Sequence, residues 1–77
     1  MRLLHHLVHA FNAVSFQDVP DFYKMTYKVF DLKGKELIGG NFTSMKEDIS
    51  LENFSEGMYL LFIQKGGLIY SEKIIKR

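Results

Sequence analysis

The carboxyl end constrains this chain most. Two apolar runs, Met58 to Lys65 and Leu68 to Lys76, meet at Gly66-Gly67, and a Gly-Gly pair between strand-sized runs fits a two-residue primed turn. A hairpin of that kind sets Ile63 opposite Tyr70, Leu61 opposite Glu72 and Tyr59 opposite Ile74, and it collects Met58, Leu60, Phe62, Ile69 and Ile75 on the other surface. Both surfaces are apolar. A half-exposed hairpin alternates more cleanly, so this one is expected to be covered on both sides, by a second sheet, a helix or a partner. Chain ends fray unless tied down, so a strand running almost to the last residue marks an end with a task.

Length and composition bound the rest. At 77 residues and 47% hydrophobic side chains, the chain is one domain with a small core, near the size where burial only just offsets the entropy of ordering. A charged share of 25% and a net charge of +1 describe an ordinary globular protein with no broad basic field, so nucleic acid is not an expected partner. With no cysteine there is no disulfide framework and no thiolate metal site, which leaves the redox compartment open. The longest uninterrupted apolar stretch, Met58 to Ile63, falls far short of the roughly 20 residues of a membrane-spanning helix.

Along the chain, Leu3, Leu4, Leu7, Val8, Phe11 and Val14 recur at spacings of three and four, which predicts an amphipathic helix over residues 3–14. Its Leu4, Val8 and Phe11 are candidates to cover an exposed sheet. A signal peptide is the competing reading, disfavoured by three histidines in the apolar region and by Ala10 and Ala13 standing one residue too far apart for a cleavage pattern. Pro20 breaks the pattern and makes SFQDVPDF a connector. From Tyr23 the period becomes two, with Tyr23, Met25, Tyr27 and Val29 on one side and Lys24, Thr26 and Lys28 on the other. Asp31 to Gly34 form a turn, and a second strand follows from Lys35 to Phe42, where Gly39 and Gly40 argue for a bulge or a close approach. Ile49 to Leu51 is a short strand between the polar TSMKED and the turn-rich ENFSEG. The organisation expected is therefore a helix and connector over residues 1–22 and a β-domain over residues 23–77.

The succession YKVFDLKGKEL, then ISLENFSEGMYLL, then EKIIKR resembles the type A C-terminal sorting domain of proteins exported by the type IX secretion system of certain Gram-negative bacteria. Asp31, Gly34, Lys35, Ile49, Leu51, Gly57, Tyr59, Lys73 and Lys76 stand at the family's positions, and the likeness covers residues 23–77. The resemblance implies an immunoglobulin-like antiparallel β-sandwich at the end of a larger secreted protein. Outer-membrane export machinery would read it, and a sortase would remove it on attaching the cargo to the cell surface. Localisation by way of the periplasm, secreted or at the surface, follows from the same likeness. Where members open on a Tyr-Pro-Asn-Pro-like segment and two further strands, this chain has the amphipathic stretch and Val19-Pro20-Asp21. A partial sandwich is therefore the expectation, and with no cargo segment the chain reads as a fragment or as a reading frame stripped of its upstream part.

Weighed singly, the motif residues read as structural. Gly57 lets the chain turn from the ENFSE loop into a strand, and the Tyr59 hydroxyl is placed to bond back to that loop, as in the tyrosine corner of sandwich folds. The basic tail of Lys73, Lys76 and Arg77 is the candidate recognition element, although lysines on edge strands also serve simply to discourage pairing. His5 and His9 share a face of the predicted helix, but two histidines without a further ligand or a glutamate do not make a metal site, so no cofactor or metal is expected. No serine or threonine has a histidine at a motif spacing, and no glycine-rich loop opens a helix, so no catalytic residue is assigned. The aromatics Phe42, Phe54, Phe62 and Tyr70 are expected in the core rather than stacked on a ligand. The function expected is a non-enzymatic export and sorting signal. The alternative is a small β-module that binds carbohydrate or protein, or self-associates through exposed strand edges.

Overall fold

The computed structural model describes residues 7–10 and 12–77, with side chains from residue 12 onward. Seven strands run through the described residues: β1 Leu7–Ala10, β2 Ala13–Phe16, β3 Met25–Phe30, β4 Glu36–Asn41, β5 Glu47–Ser50, β6 Gly57–Lys65 and β7 Leu68–Lys76. One sheet has the order β1-β7-β6-β3-β4, and the other pairs β2 with β5. The chain is mainly β, in two layers around one core. Val14 and Ile49 of the small sheet, with Leu51 just beyond it, meet Met25, Val29, Leu61, Ile63 and Ile74 of the large one. Phe42 joins the layers, its ring edge-on to Phe16 of β2 and to Tyr27 of β3.

The β6–β7 hairpin forms as its sequence dictates. Ile63 pairs with Tyr70, Leu61 with Glu72 and Tyr59 with Ile74, and the turn closes between Lys65 and Leu68. Gly66 takes a φ of +61° while Gly67 keeps a negative one, the arrangement of a turn with glycine required at its first central position. Leu61, Ile63 and Ile74 are buried under the small sheet. The opposite surface is only half covered: Ile69 remains 51% and Met58 37% exposed, while Phe62 finds the ring of Phe30 at 5.4 Å, edge to face. The expectation of cover on both sides thus holds for the inner surface alone, because the seven described strands make one small second layer and it lies on the inner side.

The N-terminal helix is not what the chain builds. Leu7–Ala10 is a strand parallel to β7, with Leu7 beside Lys73 and Ala10 beside Lys76. Ala13–Phe16 is a strand antiparallel to β5. Of the other residues of the predicted helix, Leu3, Leu4, His5, His6 and Phe11 lie outside the described residues. Spacings of three and four in a short apolar stretch do not separate helix from strand, and a neighbouring edge with open peptide groups decides between them by supplying hydrogen-bond partners. In β2 the alternation is visible: Val14 is buried and Ser15 exposed. The parallel β1–β7 pairing also departs from a purely antiparallel sandwich.

Two smaller corrections follow from local geometry. Tyr23 belongs to a single 3-10 turn, Phe22–Lys24, and is 69% exposed rather than on the buried row of β3. Asp21 before it sits in the left-handed region at φ +54° and turns the chain, so β3 starts at Met25. The irregularity expected at Gly39-Gly40 lies instead between Val29 and Phe30, where Leu37 is the extra residue of β4. The glycines serve close approach: a Cβ on Gly40 would stand 2.9 Å from the Tyr27 hydroxyl, and one on Gly39 3.2 Å from the Tyr27 carbonyl oxygen. Tyr27, directly across from Gly40, lays its ring over the bare backbone.

Candidate functional site

The motif residues cluster at two turns and explain themselves structurally. Asp31 closes the β3–β4 connection. One carboxylate oxygen accepts the backbone N–H groups of both Lys33 and Lys35 at 2.9 Å, the Lys35 carbonyl accepts the Asp31 N–H at 3.0 Å, and Gly34 supplies a φ of +89°. The order Asp-x-x-Gly-Lys is thus a folding instruction: an acceptor that ties two amides, then a residue free to turn left-handed. Gly57, at φ +152°, opens β6. Tyr59 donates its hydroxyl to the Ser55 carbonyl at 2.6 Å and lies 3.3 Å from the Ser55 hydroxyl. Its ring packs against Phe54 at 4.9 Å. The bond back to the ENFSE loop is therefore present, and it pins that loop to the core.

The three basic residues of the tail do not share a surface. Lys73 is exposed on the half-covered outer surface of β7, opposite Leu60. Arg77 is exposed just past the strand. Lys76 falls on the inner side with Ile74, is only 8% exposed, and directs its ammonium to the Asn12 side chain at 3.5 Å. Strand parity explains the separation, since residues 74 and 76 share one side and 73 and 75 the other. The alternation that placed Ile74 opposite Tyr59 already carried this signal.

Two concave regions flank the core. A hollow of about 230 Å³ opens at the hairpin end of the core between Phe16, Val19, Pro20, Met25, Ile63 and Tyr70. Lys65 stands at its rim, 3.8 Å from the Asp21 carboxylate. The other, between Asp31, Leu37, Ile38, Phe54 and Tyr59, is floored by the turn residues described above. Phe42 is a core residue at 3% exposure, and Phe54 and Tyr70 pack against the core. Phe62 is half-buried on the outer surface. Of the histidines, His9 lies in β1 and not on a helix, while His5 and His6 lie outside the described residues. Among the described residues no three His, Cys, Asp or Glu side chains converge as metal ligands, and no helix is long and apolar enough to cross a membrane.

Comparison with known proteins fits this picture of a β-unit whose motif residues hold turns and whose outer surface is half covered. A family model described as a secretion system C-terminal sorting domain matches residues 10–77. No curated protein and no solved structure matches the chain. The match reaches well upstream of Tyr23 and takes in β2, the strand that completes the small sheet. With its Asp31-to-Lys35 turn, its Gly57-x-Tyr59 strand and its final Lys73-to-Lys76 strand inside the matched span, the chain belongs to the secretion system C-terminal sorting domain family of the type IX system.

Proposed function

We propose that this chain is the non-enzymatic sorting signal of an exported cargo protein, carrying that cargo from the periplasm across the outer membrane and presenting it for attachment at the cell surface by a sortase. The family match over residues 10–77 carries the reading. A sorting signal needs a rigid body and a surface to be read, and the sequence divides its residues along those lines. Asp31, Gly34, Gly57, Tyr59 and the Gly66-Gly67 turn hold the body, each through a named bond or a backbone angle.

The recognition surface in this reading is the outer side of β6 and β7. There Met58, Leu60, Phe62, Ile69 and Ile75 remain partly exposed beside the cation of Lys73, with Arg77 at the end of the last strand. Partly exposed apolar groups next to a charge suit a receptor that gains affinity from burial and encounter rate from electrostatics. Lys76 supports the surface from below through Asn12 and does not belong to it.

A reporter fused ahead of residues 10–77 in a host with a type IX system tests the reading. Surface display of the reporter is expected, and replacing Lys73 and Arg77 together by glutamate is expected to lower it severalfold while the thermal midpoint of the isolated chain stays within a few degrees. Retention of the unaltered fusion inside the cell would overturn the sorting role. Undiminished display of the double glutamate variant would overturn the assignment of these two cations.

A further inference from the structure

Of the four aromatics expected in the core, Phe62 alone lies on the outer surface of the large sheet. Around it the strand registers gather polar side chains. Lys28 of β3 stands opposite Phe62, and in the adjoining row Thr26 stands opposite Gln64 and Gln64 opposite Ile69, so these five side chains share the outer side. Between them lies a hollow of about 190 Å³. That is smaller than the roughly 300 Å³ at which drug-sized pockets begin, and it suits a ligand of one ring.

The groups around the hollow are held in place and matched in charge. Phe30 meets the Phe62 ring at 81°, which fixes its tilt. Gln64 donates an amide N–H to the Gly66 carbonyl at 3.2 Å, so the amide is oriented while its carbonyl oxygen and second N–H remain for a ligand. The Lys28 ammonium stands 3.5 Å from the Glu36 carboxylate. Gly39, across from Lys28, makes room for that carboxylate, since a Cβ there would stand 3.2 Å from it. A cation, an anion, an amide and the Thr26 hydroxyl thus lie around one aromatic ring with no net charge.

We propose that this hollow binds one neutral pyranose ring of a glycan. A pyranose presents an apolar face of C–H groups and a girdle of hydroxyls, each both donor and acceptor. Phe62 and Ile69 match the face, while Thr26, Gln64 and the Lys28–Glu36 pair supply donors and acceptors for the girdle. Other ligand classes leave something unmatched. A nucleic acid requires cations that no carboxylate has already neutralised, and a lipid chain or apolar peptide would bury the oriented amide and the ion pair without partners. The hollow shares Phe62 and Ile69 with the surface proposed for export, but sugar binding is read on the isolated chain in solution, so the two readings fail separately.

Amide NMR of the full isotope-labelled chain tests the assignment, with the methyl glycosides of glucose, galactose, mannose and N-acetylglucosamine as probes and glucuronic acid as the charged comparison. Saturable shifts confined to residues 26–28, 62–64 and 69 are expected with at least one neutral sugar, at a Kd of about millimolar. Gln64→Ala and Lys28→Met, both at exposed positions, should each raise that Kd about fivefold. Phe62→Leu, which keeps an apolar group and loses the ring, should raise it about tenfold, with circular dichroism confirming that each variant is folded. No saturable shift with any of the neutral sugars overturns the proposal, as does binding indifferent to all three substitutions. Preference for glucuronic acid over every neutral sugar overturns the neutral class. Loss of reporter export in Gln64→Ala, with no sugar bound by the unaltered chain, would assign the hollow to a protein of the export machinery and equally overturn the sugar.

Discussion

Tyr59 shows at the scale of one residue how a family motif is spent on structure. Its hydroxyl reaches the carbonyl of Ser55, four residues earlier, while its ring closes the core from the side of Phe54. Tyr59→Phe keeps the ring and loses the bond, and should cost about 1 kcal/mol, read as a thermal midpoint lower by several degrees. Tyr59→Ala removes ring and bond together and should cost about 3–5 kcal/mol, which is enough to leave a chain of this size largely unfolded. The contrast between Lys76 and Lys73 belongs to the same scale. Lys76→Ala strips a buried stem and its contact with Asn12, and is expected to destabilise by about 1–2 kcal/mol in a urea titration. Lys73→Ala, on the exposed side of the same strand, is expected to change stability by less than about 0.5 kcal/mol. Sequence order places both lysines in one basic tail, whereas strand parity assigns them opposite duties.

At the scale of an element, the register of the β6–β7 hairpin was legible although the cover of its outer surface was not. The run lengths and the glycine pair require one register, and that register is the one formed. The turn makes a sharper statement than its composition, since its two glycines are not equivalent. Gly66 at φ +61° occupies a region that costs a side-chain-bearing residue about 1–2 kcal/mol, so Gly66→Ala should lower stability by that amount. Gly67 has a negative φ, and a methyl group there would meet nothing within 4 Å, so Gly67→Ala should be neutral to within about 0.5 kcal/mol. Equal losses from the two substitutions would contradict this turn geometry. The Asp31 turn was equally legible, since a carboxylate and a glycine three residues later determine a local structure without help from the rest of the chain. The strands β1 and β2 were not. Their spacing of three and four is compatible with either period, and what selects the strand is a partner sixty-six residues away for β1 and thirty-five away for β2, as the pairs Val8 with Ile74 and Val14 with Ile49 record.

The whole molecule depends on those two strands more than its C-terminal motifs reveal. Among the described residues the small sheet has two members, so β5 has only β2 to pair with, and Val14 and Val19 enter the core from the first twenty residues. The Val19 N–H also bonds the Met45 carbonyl at 3.0 Å, which ties the connector to the loop before β5. Removing residues 1–20 therefore takes away a layer: two buried valines at about 1.5–3 kcal/mol each, and the β2–β5 ladder with them. That sum approaches the entire stability of a small domain, so the truncated chain should show no cooperative thermal transition, and an unchanged midpoint would refute the role given to β2. The sequence by itself determined what short-range physics controls: the hairpin and its register, the Asp31 and Gly57 turns, the Tyr59 bond, and through them the family. Tertiary structure alone decided that residues 7–10 and 13–16 are strands, that β1 runs parallel to β7, that the side of β7 shared by Ile74 and Lys76 is the covered one, and that the other surface of the hairpin stays half open. The reason is the same in each case. A turn is settled by the few residues that make it, whereas an ambiguous apolar stretch takes its conformation from the distant edge that satisfies its peptide groups, and a side chain's surroundings depend on which layer its strand comes to face.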